Sequence, residues 1–294
     1  MKPFVSVIVP TYRDWSRLAI CIQALSIQDY DHFEVIIVNN CVDDVIPEGY
    51  HIPVNFRIIA EPKPGSYASR NTGIKLTTGT IIGFTDADCI PDKSWISTAV
   101  QTFDTAATYS RIAGKIELFY SSPKPNNAEM YEQVYAFNQD LYVQMDGTGV
   151  TANLFVKRTV FEAVGPFDED LLSGGDYEWS VRARDAGYKI CYDAGVKISH
   201  PARNRITELV TKAKRVGGGQ AGFTQKDNRG YLKRVFRFIY DLRPPVRSIP
   251  LISRKGKDMA LNQKLTVFFI HYYLSLVTAT EKFKVALGKE PSRA

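Results

Sequence analysis

Cysteine is scarce in these 294 residues: there are four, Cys21, Cys41, Cys89 and Cys191, far apart and with no CxxC pair. That spacing excludes a zinc knuckle and a disulfide-stapled scaffold and fits a reducing cytoplasm. A membrane-spanning run is also missing. The apolar stretch 265–279 is interrupted by Thr266, His271, Ser275 and Thr278 and falls short of the ~20 residues a span needs. It is expected to be buried or interfacial, which argues against a synthase that extrudes its polymer through its own channel. The apolar residues 4–10 are too few for a secretory signal and continue into a strand-like pattern, so they belong to the fold. Internal repeats and low-complexity segments are absent.

What is present is a hydrophobic fraction of 45%, enough for one large α/β domain with an appendage or for two small domains, and too much for disorder. Charge is uneven. Residues 1–200 carry 17 basic and 25 acidic side chains, whereas residues 201–294 carry 20 basic and 6 acidic. A basic C-terminal region of this kind favours a polyanion, either nucleic acid or an anionic membrane leaflet, or it forms a solvated face.

Residues 5–9 and 34–38 are short β-branched runs bounded by turn residues, the pattern of buried parallel strands. Between them Leu18, Ala19, Ile22 and Leu25 recur at helical spacing, with Asp14 or Ser16 available as a cap. The pattern repeats with strands at 57–60 and 81–85 and helices at 66–76 and 95–103, so the first 110 residues read as doubly wound. An extended run at 111–119, a turn to residue 127 and a helical stretch at 129–145 are expected to shape a substrate cleft. Strands at 153–156, 190–192 and 196–199 and helices at 160–164 and 177–186 complete the body. Beyond it Leu232, Val235, Phe236, Ile239 and Leu242 make an apolar stripe with Lys233, Arg234, Arg237 and Arg243 on other faces. This is a basic amphipathic helix, fit either to pack on the body or to lie on a membrane.

The strongest local signal is Phe84-Thr85-Asp86-Ala87-Asp88, where an apolar strand ends in two acids. Ligands of open α/β sheets gather at the carboxyl ends of strands. Mg2+ or Mn2+ takes one or two carboxylates together with substrate phosphates, although acids also follow strands simply as turn formers. His200, ending a strand-like run, is either a further metal ligand or a core histidine. Asp176 follows Gly174-Gly175 and is either a helix cap or a chemical group. Glu178, two residues on, does not share its helical face and is assigned separate work. Lys214-Arg215 followed by Gly217-Gly218-Gly219 suits a closing loop or a helix C-terminus.

The ordered series Val7-Ile8-Val9-Pro10-Thr11-Tyr12, Val38-Asn39-Asn40, Lys63-Pro64-Gly65-Ser66-Tyr67-Ala68-Ser69-Arg70-Asn71, Asp86-Ala87-Asp88 and Asp176-Tyr177-Glu178-Trp179 closely resembles the inverting family 2 glycosyltransferases. The resemblance implies a GT-A nucleotide-sugar-binding fold, a mostly parallel sheet flanked by helices, here with a basic helical C-terminal extension. It implies a catalytic domain over 1–220, with a nucleotide-binding half 1–110 and an acceptor half 111–220, ahead of an amphipathic region 221–294. Pro10, Thr11, Tyr12, Asn39, Arg70, Asp86 and Arg215 would bind the nucleotide sugar. Asp88, Asp86 and His200 would hold Mg2+ or Mn2+, and Asp176 would be the catalytic base. Asn39 stands where the family usually has Asp, which loosens the expected preference for uridine because an amide is uncharged and also donates.

The expected activity is metal-dependent transfer of a sugar from a nucleotide sugar to a hydroxyl of a saccharide or lipid-linked saccharide, in polysaccharide or cell-envelope synthesis. The expected setting is cytoplasmic and peripheral, on the inner face of the cell membrane. A nucleotidyltransferase is the competing enzyme class, but residues 5–17 lack its Gly-rich basic loop. A degenerate sugar-nucleotide-binding module is the non-enzymatic competitor. Nucleic acid is not an expected partner, because Tyr231, Phe236, Phe238 and Tyr240 have the spacing of a helix face rather than of a stacking platform.

Overall fold

The computed structural model describes residues 2–171, 173–225 and 231–290, except for the side chains of 221–225, 231 and 232. Its contacts divide the chain into two compact units. The first is Met1–Glu117, Phe137–Asp170 and Gly175–His200; the second is Leu118–Ala136, Leu171–Gly174 and Pro201–Ala294. The last division falls at residue 200, and the second unit also takes in two segments from earlier in the chain.

The strands are β1 (Val5–Thr11), β2 (Phe33–Asn39), β3 (Phe56–Ala60), β4 (Ile81–Thr85), β5 (Ile90–Pro91), β6 (Arg111–Phe119), β7 (Asn153–Lys157) and β8 (Ile190–Pro201). They form one sheet in the order β3-β2-β1-β4-β7-β6-β8-β5. Pairing is parallel from β3 through β2 and β1 to β4. It is antiparallel for β4 with β7, β6 with β7 and β5 with β8. The expected mostly parallel sheet is therefore a mixed one. Residues 5–9 and 35–38 are buried throughout, as strands covered on both faces must be. Along β8, by contrast, Val196, Ile198 and His200 are buried while Lys197 and Ser199 are only half-buried, the alternation of an antiparallel strand. The two strands expected at 190–192 and 196–199 are thus one.

The helices that flank the sheet in the first unit are α1 (Trp15–Ser26), α2 (Ser66–Leu76), α3 (Trp95–Thr105), α5 (Gln139–Asp146), α6 (Arg158–Val164) and α7 (Gly175–Asp185), with α4 (Asn127–Tyr135) in the second unit. On α1 the buried positions are Leu18, Cys21, Ile22, Ala24 and Leu25, so Cys21 takes the place expected of Ala19. Neither Asp14 nor Ser16 caps α1. Asp14 holds the N-cap position without a side-chain cap bond, and its carboxylate pairs with Arg17 at 2.6 Å. The single helix expected over 129–145 is two, α4 and α5, because Phe137 takes a left-handed backbone (φ 49°) that no helix can continue.

The second unit also contains α8 (Ile206–Gln225), α9 (Tyr231–Asp241), a 3-10 turn at Val246–Ser248, α10 (Ile249–Lys255) and α11 (Leu261–Ala286). Ala128, Leu209, Ala213 and Leu274 make one small core and Met130, Val134, Ile252, Met259 and Val267 another. The buried carboxylate of Glu132 receives Arg203 at 3.1 Å and Lys212 at 3.2 Å. Burial alone would raise its pKa, but Lys212 and Arg203 outweigh that and hold it below the usual range. The triglycine is neither loop nor helix end, since it lies inside α8. A Cβ on Gly217 would stand 2.8 Å from the Thr278 carbonyl of α11, and one on Gly219 would stand 2.6 Å from the Ser173 carbonyl. The glycines let backbones approach. Residues 265–279 fall within α11, and among the described residues no helix is long and apolar enough to cross a membrane.

Candidate active site

Because β1, β2 and β4 run parallel, Thr11, Asn39 and Thr85 end their strands at the same edge, and Thr11 stands beside Asn39 in register. Loops leaving this edge carry the groups singled out above. After β1, Tyr12 is exposed, and Arg13 has a left-handed backbone (φ 51°) and donates to Cys41 Sγ. A non-glycine residue in that region stores strain of a kind common at functional loops. Asn39 spends its amide locally, donating to the Asp44 carbonyl at 2.9 Å and accepting from the Cys41 N–H at 3.1 Å. An Asp could not make the first of these bonds, which accounts for an amide at this position. Asn40, not expected as a site residue, donates to the carbonyls of Glu61 and Lys63 and accepts from Gly65 N–H, fixing the entry to α2.

Helix α2 delivers Tyr67, Arg70 and Asn71. Asn71 clamps the 167–169 segment, donating to the Phe167 carbonyl and accepting from its N–H. Arg70 is only 4% exposed, so it is not a surface ion pair. Its Nη2 meets Asp86 Oδ1 at 2.5 Å, and its guanidinium lies 5.6 Å from the centre of the Tyr67 ring. Tyr67 in turn donates its hydroxyl to Asp176 Oδ1 at 3.2 Å. Burial first, and the neighbouring Asp176 second, push that phenol well above its ordinary pKa, so it stays protonated as a donor. Asp176 sits in the first turn of α7 rather than at its cap, and Oδ1 also accepts from Tyr177 N–H at 3.0 Å. Gly175 makes the approach possible, since a Cβ there would stand 2.7 Å from the Tyr67 ring. A continuous chain of contacts thus runs Asp86, Arg70, Tyr67, Asp176. Glu178 has its separate role, a two-point pair with Arg182 at 2.5 and 2.9 Å.

Asp88 faces the other way. Its Oδ1 lies 3.5 Å from His200 Nε2 and its Oδ2 lies 3.5 Å from Arg17 Nη1. Asp88, Cys89 and His200 offer ligand atoms all within 4.8 Å of one another. His200 is buried against the ring of Phe137 at 4.5 Å, so the left-handed turn that splits the helix also seats this imidazole. Cys89 is buried, and burial first and then Asp86 and Asp88 push its thiol far up; its soft sulfur is in any case a poor match for a hard cation. Asp88 and His200 suit a cation such as Mn2+, which accepts both oxygen and imidazole nitrogen. Asp86 is committed to Arg70, and Thr11 Oγ1, Thr85 Oγ1 and Arg70 Nε are buried without a partner among the described residues. Orphaned donors at one edge fit a polar ligand. Arg215 lies on α8 in the second unit.

A mixed α/β sheet flanked by helices, with acids at the ends of its parallel strands and a buried guanidinium beside them, has the architecture of the GT-A fold. Residues 6–164 match Glycosyl transferase family 2, and the chain belongs to that family. It is 36% identical over 247 residues to glycosyltransferase AglE of Haloferax volcanii, covering 80% of this chain and 78% of the relative. It is 25% identical over 259 residues to the glucosyl-dolichyl phosphate glucuronosyltransferase of the same organism, covering 80% and 78%. The fold is similar to that of the mannosyltransferase PcManGT from Pyrobaculum calidifontis in complex with GDP-Man and Mn2+. The TM-score is 0.56 at 17% identity, over 99% of this chain and 77% of that one. The chain is a glycosyltransferase, and the nucleotidyltransferase and non-enzymatic readings fall.

Proposed function

We propose that this chain transfers a sugar, with inversion, from a nucleoside diphosphate sugar to a hydroxyl of a saccharide or lipid-linked saccharide during glycan synthesis at the cytoplasmic face of an anionic membrane. The observation that carries the reading is the contact chain from Asp86 through Arg70 and Tyr67 to Asp176, which ties a group suited to a diphosphate to one suited to a base. The relative that acts on glucosyl-dolichyl phosphate supports a lipid-linked acceptor. The neighbour in complex with GDP-Man, together with the amide at Asn39, leaves both guanosine and uridine donors to test.

In this reading Asp176 takes the acceptor's hydroxyl proton on Oδ2 while Tyr67 and the Tyr177 N–H steady Oδ1. The acceptor oxygen bonds to the anomeric carbon as the bond from that carbon to the diphosphate oxygen breaks on the opposite face, which inverts the centre. Arg70 contributes positive charge beside the diphosphate, and Thr11 supplies a hydroxyl at the nucleotide end. Asp88 and His200 would hold Mg2+ or Mn2+, whose part is to neutralise charge on the departing diphosphate.

A thermal-shift panel of UDP- and GDP-sugars with and without Mn2+ tests this. Stabilisation is expected only with metal, and it should vanish in Asp88→Ala. Asp176→Asn should keep the shift and lose transfer by about 10²-fold or more. Full transfer by Asp176→Asn would overturn the base assignment, and no shift with any donor would overturn the donor site.

A further inference from the structure

Helix α9 is strongly amphipathic, and its apolar stripe is used only in part: Val235 and Leu242 are half-buried, whereas Phe236 and Ile239 are exposed. At about 100° per residue, Arg234, Phe238 and Asp241 share one face, and that face holds the helix to α11. Arg234 Nη1 donates to the Ala286 carbonyl at 2.5 Å, Phe238 stacks on Phe283 at 4.5 Å, and Asp241 pairs with Lys282 at 3.8 Å. The opposite face carries Phe236, Ile239 and Tyr240, which are 72%, 55% and 53% exposed. Lys233 shares this outward face, Arg237 flanks it and Arg243 follows just past the helix end; all three are exposed. Arg243 also lies over the Tyr240 ring at 4.6 Å. The anchoring contacts are made by Arg234, Phe238 and Asp241, while Phe236, Ile239 and Tyr240 point to solvent.

We propose that this face of α9 is a docking element that lies flat in an anionic lipid leaflet, with Phe236, Ile239 and Tyr240 inserted among the acyl chains and Lys233, Arg237 and Arg243 on the headgroups. The occupant is identified by charge complementarity. An apolar strip edged by cations, within a segment of 20 basic and 6 acidic residues, matches an interface that is apolar inside and negative at its surface. Aromatic side chains with a polar end suit the headgroup boundary. A helix anchored on its inner face is already ordered, so docking costs no folding. This inference rests on the proposed reading only for the presence of a membrane near the acceptor; it requires no catalysis.

The test is co-sedimentation of the full chain with vesicles of phosphatidylcholine alone or mixed with phosphatidylglycerol. Binding is expected to the anionic vesicles only and to weaken as salt is raised. Phe236→Ser/Ile239→Ser should weaken it by about tenfold or more, with an unchanged circular dichroism spectrum and an unchanged donor-induced thermal shift. Lys233→Ser/Arg243→Ser should weaken binding and flatten its salt dependence. Equal binding of wild type to both vesicles, or undiminished binding by Phe236→Ser/Ile239→Ser, overturns the proposal. So does a wild-type dimer that this double variant turns into a monomer while neither sediments with vesicles. A wild type that binds anionic vesicles but shows no shift with any donor would sink the donor site and leave this docking element standing.

Discussion

Replacing Asp86 by Ala is expected to cost more stability than replacing its partner Arg70 by Met, although both remove the same 2.5 Å contact. The asymmetry comes from burial. The Arg70 side chain is 5% exposed and that of Asp86 is 33% exposed. Two unit charges about 4 Å apart attract by about 4 kcal/mol at an effective dielectric near 20, and much of that offsets the desolvation of the guanidinium. Asp86→Ala strands a buried cation whose Nε already lacks a partner among the described residues, a change that costs about 3–5 kcal/mol. Arg70→Met fills the same volume with an apolar chain and leaves a carboxylate that water can reach, at about 1–2 kcal/mol. Urea unfolding at pH 7, followed by far-ultraviolet circular dichroism, measures both, and Arg70→Met/Asp86→Ala should be more stable than Asp86→Ala alone. If Asp86→Ala unfolds at the same urea concentration as Arg70→Met, or at a higher one, the guanidinium is not held in place by Asp86 and the electrostatic account of this edge is wrong.

Tyr67→Phe removes the hydroxyl that steadies Asp176 Oδ1 and should lower transfer by about tenfold or more with donor affinity unchanged, read from kcat and from donor thermal shift. Gly219→Ala gains about 1 kcal/mol of helix propensity but puts a Cβ 2.6 Å from the backbone carbonyl of Ser173. Backbone cannot rotate aside, so overpacking of about 1–3 kcal/mol should win and lower the melting temperature. His271 stacks on Tyr135 with ring centres 4.1 Å apart, and burial holds its imidazole down at about 4 from an ordinary 6.5. The unfolded chain therefore takes up a proton first as pH falls. The stability is whole above pH 6.5 and drains away towards pH 4, by about 3 kcal/mol at most. A urea midpoint that drops over this range in wild type should drop less in His271→Phe.

Elements whose cause is local were legible. The helix at 66–76 and the strand at 81–85 coincide with α2 and β4 because an X-Pro-Gly entry and a β-branched run decide them without tertiary help. Elements decided by distant contacts were not. The break between α4 and α5 carries no Gly or Pro, because Phe137 makes it with a left-handed backbone whose ring seats on His200. The triglycine of α8 reads as a loop or a helix end by local rules, whereas its need comes from the Thr278 and Ser173 carbonyls, remote in sequence. Tyr67 lies inside the motif without a role of its own there, although its place three residues before Arg70, on the same helical face, is a signal for one.

The acids of the site are alike in sequence and differ in company. Asp86 has Arg70, Asp88 has Arg17 and His200, and Glu178 has both arms of Arg182. A carboxylate gripped by a guanidinium has its lone pairs directed at that cation and is poorly placed to turn to a substrate hydroxyl. Asp176 is held by two neutral donors, the Tyr67 hydroxyl and the Tyr177 N–H, and both engage Oδ1. Such donors fix the orientation of a carboxylate without neutralising its charge. That difference in partners, which no motif records, is the physical reason to propose proton removal by Asp176 and charge and position for the others.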